Sequence, residues 1–167
     1  MSALPDDILE LQQSAFRYFL DHTNAKNGLV ADNTGENSPC SIAAMGLGLS
    51  CQPVAVSNGW LKRADAAERV LTALRFFEQS PQGPEPDVTG YKGFYYHFLE
   101  MKDGSRAGKC ELSTVDSAFL LAGMLAAGAF FDADTPGERE IRGTADALYR
   151  RADWQWALYG VPCNEGG

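Results

Sequence analysis

The sequence predicts an all-α fold, an α/α toroid of helical hairpins, with a short β-hairpin near residues 93–111. Three observations predict it. Two segments, Ser41–Ser50 and the stretch from Ser113 through Phe131, are apolar, rich in small residues and nearly free of charge. Each is followed by a segment with one charged and one apolar side, the signature of a helix half in water. A further amphipathic segment precedes both pairs. Inner helices buried all round that alternate with half-wet outer ones describe a double ring, whereas a four-helix bundle gives every helix a wet face.

Taken in order, Asp6 to about His22 is a helix: Leu9, Gln12, Phe16 and Phe19 recur at helical spacing, and Ile8, Leu11, Ala15 and Leu20 widen the stripe. Thr23–Pro39 is a loop marked by Asn27-Gly28 and Thr34-Gly35. Ser41–Ser50 carries Gly46 and Gly48, each costing a helix about 1 kcal/mol relative to alanine. Close packing must therefore stabilise it, and it is expected to be buried on all sides. In Gly59–Gln79, Lys62, Arg63, Asp65, Glu68, Arg69 and Arg75 alternate with Leu61, Val70, Leu71, Leu74, Phe76 and Phe77. Pro81–Asp87 is a loop. Gly93–Glu100 alternates as a strand, and the Asp103-Gly104 turn predicts a hairpin returning through Ser105 to Cys110. The second inner helix follows. Thr135-Pro136-Gly137-Glu138 then opens the last helix, with Thr135 as cap and Pro136 in the first turn, and this helix ends near Trp154.

The chain has 167 residues, enough for one domain with a real core. Its net charge of -8 argues against nucleic acid or an anionic membrane as partner and fits a soluble protein with a neutral substrate. The longest apolar run, Ala118–Phe131, has fourteen residues where a bilayer needs about twenty. No secretion signal is expected at Met1–Asp7, which has neither a basic region nor an apolar block. Cys40, Cys51, Cys110 and Cys163 form no Cys-x-x-Cys pair, and His22 and His97 fall in unrelated segments. Neither a structural zinc site nor a thioredoxin-like motif is expected.

Chemistry is best sought at Cys110–Gly123, where Glu111, Ser113, Thr114 and Asp116 stand at the mouth of an apolar helix. Charge is costly to bury, so such groups are paired or functional. Ser113 and Asp116 are three apart and share a helix face, while Glu111 joins them only from the loop before the helix. Ser-x-x-Asp is also a variant capping box, and the two roles are compatible.

In this order, Leu11-Gln12 with Phe16-Arg17-Tyr18-Phe19, Gly28-Leu29-Val30, Ser41-Ile42-Ala43-Ala44-Met45-Gly46-Leu47-Gly48, Gly59-Trp60, Gly93-Phe94-Tyr95-Tyr96-His97-Phe98-Leu99, Glu111-Leu112-Ser113-Thr114-Val115-Asp116 and Asp153-Trp154-Gln155-Trp156 resemble the glucoamylase-like domain family. That family contains bacterial β-1,2-glucan-acting enzymes, a segment of cyclic β-1,2-glucan synthases, and members named only provisionally as glucoamylases. The resemblance implies an (α/α)6 toroid with a sugar cleft at one end of its inner ring and a glucan oligo- or polysaccharide as partner. It implies no metal and no organic cofactor, and family members are often periplasmic or secreted. The chain ends at Gly167, where family members continue, so residues 1–167 are expected to be the N-terminal portion of such a domain, a partial (α/α)6 barrel. Inner helices left exposed would then favour a homo-oligomer or a missing C-terminal half.

Under this resemblance Asp116 matches an acidic residue implicated in the reaction of β-1,2-glucan-acting members. Glycoside hydrolysis needs two carboxyl groups, about 5 Å apart in retaining enzymes and about 6.5–9.5 Å in inverting ones. The helix N-terminus favours ionised Asp116, which suits a base or stabilising role and leaves Glu111 as the acid. Tyr95, His97, Arg106, Ser113 and Trp156 are candidates for substrate binding, each also readable as packing, capping or surface pairing. The alternative expectation is a truncated, non-catalytic helical module that binds sugar or a partner chain.

Overall fold

Side-chain caps fix where three of the helices start. The Ser41 hydroxyl accepts from Ala44 N, Ser113 from Asp116 N and Thr135 from Glu138 N, each satisfying an N–H that no helical carbonyl can reach. In the computed structural model, which describes residues 5–159, the helices are α1 (Asp6–Asp21), α2 (Ile42–Ser57), α3 (Arg63–Gln79), α4 (Thr114–Phe130), α5 (Pro136–Arg151) and α6 (Trp154–Tyr159). The expected start at Met1–Leu4, the tail Gly160–Gly167 and Cys163 lie outside the described residues.

Helix α2 runs beyond Ser50, through Pro53, and ends where the sequence reading places the start of the next helix. Gly59 adopts a left-handed φ of 71°, and the N–H groups of Trp60 and Leu61 turn back to the Ala55 carbonyl. Gly59 therefore closes α2, and α3 begins only at Arg63. The last helix likewise divides: α5 stops at Arg151, and α6 restarts at Trp154.

The inner pair is α2 and α4, and the two backbones touch. A Cβ at Gly46 would lie 2.2 Å from the Phe119 carbonyl oxygen, and one at Gly123 would lie 2.1 Å from the Gly46 carbonyl oxygen. The outer helix α5 covers α4, and α3 packs against both α5 and α2. Between the layers, Met45 and Leu49 of α2, Val70, Leu74 and Phe77 of α3, Leu120, Leu121 and Met124 of α4, and Ile141 and Leu148 of α5 are buried. Each such side chain contributes about 1.5–3 kcal/mol by leaving water. At the far end, Arg63 Nε and Nη2 donate to the two Glu138 oxygens at 2.8 and 2.7 Å, and Nη2 also donates to the Phe130 carbonyl at 3.0 Å. Ala133 N completes the shell of Glu138 at 2.8 Å. One arginine thus ties the start of α3 to the end of α4 and the start of α5.

Two expectations need correction. The inner helices are not buried all round. Leu47 and Val54 of α2 are exposed, as are Val115, Ala118, Phe119, Ala122, Leu125 and Ala126 of α4. On α4 these fall at helical spacing and form one apolar stripe, because α2 and α5 cover its other sides while α6 only flanks its first half, where Trp154, Ala157 and Leu158 share a groove with Val115, Ala118, Phe119 and Ala122. The predicted hairpin is also different. Its first arm divides into β3 (Phe94–Tyr96) and β4 (Phe98–Leu99), which pair with separate partners. β4 pairs with β1 (Cys40–Ser41), and β3 lies between β2 (Gly90–Tyr91) and β5 (Leu112–Ser113), all antiparallel. Ser105–Cys110 returns along the other edge of β4 through one antiparallel bridge, Leu99 to Arg106, with hydrogen bonds from Glu100 N to the Ser105 carbonyl and from Ala107 N to the Phe98 carbonyl. No helix among the described residues is long and apolar enough to cross a membrane.

Replacing Gly46 with alanine is expected to cost about 1–3 kcal/mol through overpacking against Phe119, read as a melting temperature lower by several degrees. An unchanged melt would contradict the backbone contact. Glu138 is held below the ordinary carboxylate range, first by the hydrogen bonds from Arg63. Its ionised form is therefore stabilised in the folded chain. The stability advantage of wild type over Glu138→Gln should be complete above about pH 4.3 and shrink as pH falls below it. Urea melts across this range check the sign.

Candidate active site

His97 occupies the break between β3 and β4, and that break joins the two inner helices. Its N–H donates to the Glu111 carbonyl at 3.0 Å, and its carbonyl accepts from Ile42 N, the first residue of α2, at 3.2 Å. On one side Tyr95 and Tyr96 pair with Ser113 and Leu112, which lead into α4. On the other, Phe98 and Leu99 pair with Ser41 and Cys40, which lead into α2. The N-termini of both inner helices thus converge on one histidine, and each brings a partial positive charge that favours anionic side chains.

The side chains follow the backbone. His97 Nδ1 lies 2.8 Å from Glu111 Oε1 and 3.3 Å from Asp116 Oδ2. Ionised carboxylates only accept, so Nδ1 carries a proton directed at them. Because both oxygens contact one nitrogen, their separation cannot exceed the sum of the two distances, about 6 Å. The hydrogen bond from His97 holds the Glu111 carboxyl below its ordinary range. Asp116 is the less accessible of the two, with 18% of its side chain exposed against 68% for Glu111.

The cluster is braced from behind. Ser117, fully buried, accepts from Tyr95 N at 2.8 Å and donates to the Ser113 carbonyl at 2.6 Å, which locks β3 to the first turn of α4. Ser113 caps that turn through Asp116 N at 3.1 Å. The Cys110 thiol contacts both backbone polar groups of Phe98, at 3.4 and 3.3 Å.

Of the residues nominated from sequence, the fold brings Glu111, His97 and Asp116 into contact and places Ser113 directly beneath them as a cap. Glu111 does reach the cluster from outside the helix. Arg106 donates from Nε to the Cys110 carbonyl at 2.6 Å and lays its guanidinium 4.3 Å from the Tyr96 ring centroid. Tyr95 is a correction. Its ring is fully buried against Phe77, and its hydroxyl meets Arg151, so it offers no surface to a ligand. Trp156 is half-buried and lines a neighbouring groove with Tyr91 and Tyr96. Those two tyrosines, like Ser117, were missed from sequence. Alternation placed Tyr96 opposite Tyr95, and this parity signal could have raised it as the exposed member of the pair. Among the described residues, no group of three or more His, Cys, Asp or Glu is placed to hold a metal ion.

No family model matches the chain. It is 25% identical over 156 residues to an exo β-1,2-glucooligosaccharide sophorohydrolase (non-reducing end) of Parabacteroides distasonis, covering 90% of this chain and 21% of that protein. Its fold superposes on a protein from Bacteroides uniformis, named provisionally as a glucoamylase, with a TM-score of 0.82 and 29% identity, over 96% of this chain and 39% of that one. It also superposes on a β-1,2-glucanase from Parabacteroides distasonis, with a TM-score of 0.81 and 23% identity, over 96% of this chain and 23% of that one. An endo-β-1,2-glucanase from Chitinophaga pinensis gives a TM-score of 0.79 at 20% identity, over 95% and 39%. The chain spans about a fifth of the curated relative and at most two fifths of these structures. Over that part of their length, it resembles in sequence and structure the glucoamylase-like, β-1,2-glucan-acting proteins.

Proposed function

We propose that this chain is the N-terminal segment of an α/α toroid that acts on glucans as a glycoside hydrolase, with Asp116 in its reacting cluster. The observation that carries this reading is the convergence of Glu111, His97 and Asp116 at the shared N-terminal end of two inner helices. The names of the similar proteins point to β-1,2-linked glucose as the first substrate class to try. The apolar stripe on α4 supports the toroid, because a further inner helix laid along it would continue the ring.

The geometry also divides the labour. An inverting pair needs about 6.5–9.5 Å between its carboxyl groups to admit both sugar and water. The Glu111 and Asp116 oxygens that meet His97 Nδ1 lie within about 6 Å of each other, a spacing that admits a retaining pair of about 5 Å, and both face one imidazole nitrogen, so they act as one unit. That unit supplies the ionised arm: Asp116 as base or charge stabiliser, with His97 and Glu111 holding its proton balance. No metal or organic cofactor enters this chemistry. The second reading, a non-catalytic module that binds sugar or a partner chain, is favoured by the same exposed stripe on α4.

Reducing-end release from linear β-1,2-glucan, with starch as the comparison, tests the proposal. Asp116→Asn is expected to lower release from the β-1,2-glucan by about 100-fold or more, in line with loss of acid–base assistance. Undiminished release by Asp116→Asn would remove this residue from the reaction, and no release by wild type would leave the binding-module reading. His97→Gln removes the bond that holds the Glu111 carboxyl low, so the titration of that carboxyl, followed by its side-chain carbon NMR signal, should move up toward the ordinary glutamate range. A Glu111 titration that stays put or moves down would contradict the coupling.

A further inference from the structure

Beside the carboxylate cluster lies a second feature that the reacting groups do not use, a groove of about 400 Å³ lined by Gly83, Pro84, Tyr91, Tyr96, Leu112 and Trp156. Its volume is in the range of small-molecule sites, about 300–1,000 Å³. It flanks the cluster by one residue on each of two paired strands: Tyr96 precedes His97, and Leu112 follows Glu111. We infer that this groove is a carbohydrate-holding subsite, with Tyr96 and Trp156 as its aromatic platform. The inference rests on the glucan reading above and adds to it a place where a sugar unit is held away from the reacting carboxylates.

The chemistry of the lining selects for a sugar. A pyranose ring is apolar across its C–H face and polar around its edge, so it asks for an aromatic surface with polar groups at the rim. Trp156 stands edge-on to Tyr91 at 5.8 Å between centroids and packs on Phe94 at 5.8 Å. Its backbone N–H is held by Asp153 at 2.9 Å. Tyr96 is fixed by the Arg106 guanidinium stacked at 4.3 Å, and Arg106 is itself anchored to the Cys110 carbonyl. Rings held in place in this way lose little freedom when a ligand arrives. The rim is cationic but not an anion trap, because the Lys92 ammonium, 5.5 Å from the Trp156 centroid, is paired with Asp153 at 3.1 Å. A neutral, hydroxyl-rich ligand fits that balance better than a phosphate or a carboxylate.

Calorimetric titration of the chain with a linear β-1,2-glucooligosaccharide tests the subsite. Wild type should bind with saturable heat. Tyr96→Ala and Trp156→Ala should each weaken binding by about tenfold or more, the loss of roughly one stacking contact. Tyr96→Phe and Trp156→Phe, which keep a ring, should bind within a few-fold of wild type and so control for folding. Absence of binding by wild type, or alanine variants that bind as wild type does, would overturn the inference. The two readings fail separately. A chain that binds through these rings yet releases no sugar loses the catalytic reading alone, and one that releases sugar without ring-dependent binding loses the subsite.

Discussion

The contact between Gly46 and Gly123 is the constraint on which the rest of the structure depends. Any side chain at either position would meet backbone within about 2 Å, so α2 and α4 can lie this close only with glycine at the crossing. The price in helix propensity is paid by the packing of both layers around them. Once the two axes are in contact, their N-termini stand side by side, and a single strand segment can reach both. That segment, Phe94 to Leu99, pairs with the entry to α4 through its first half and with the entry to α2 through its second. His97 stands where the halves part.

Two glutamates show how the same physics serves structure in one place and chemistry in another. Glu138 and Glu111 are both held below the ordinary carboxylate range by a cationic or proton-bearing partner. Glu138 is buried, and its oxygens are taken up by Arg63 and a backbone N–H, which leaves nothing for a ligand to engage. Glu111 stands largely in the open, shares its partner with Asp116, and lies at the end of the molecule where both inner helices present their positive poles. Full satisfaction marks the structural glutamate. Shared and accessible contacts mark the candidate site.

The helices were legible because their signals are local. Thr135 and Ser113 cap the turns expected of them, and the charged side of α3 and α5 is read directly from residue spacing. The carboxylate cluster was half legible: Ser-x-x-Asp announced the first turn of α4, but nothing near Glu111 announced that His97 would meet it from β3 and β4. Strand pairing is non-local, which is why the return arm Ser105–Cys110, which does bridge Leu99, was foreseen while the pairing of the same strand with Cys40–Ser41 on its other edge was not. The exposed stripe on α4 was foreseen only in outline, as inner helices left bare by a partial barrel. Periodicity and composition report that Val115, Phe119 and Ala122 are apolar, but not which neighbour covers them. Tyr95 was nominated where it is in fact buried because both faces of β3 are partly covered, Phe94 by the tryptophans of α6 and Tyr95 by Phe77.

The claim that the glycine crossing delivers the carboxylates to His97 is tested most directly by the imidazole nitrogen signals of His97. These are read by long-range proton–nitrogen NMR in wild type and in Gly123→Ala, with His97→Gln to assign them against His22. Wild type should show a proton on Nδ1, held there by Glu111 and Asp116. In Gly123→Ala, under conditions where it remains folded, that signature should weaken or pass to Nε2 as the end of α4 is pushed away. A folded Gly123→Ala chain with an unchanged Nδ1 proton would show that the cluster does not depend on the crossing and would contradict the account.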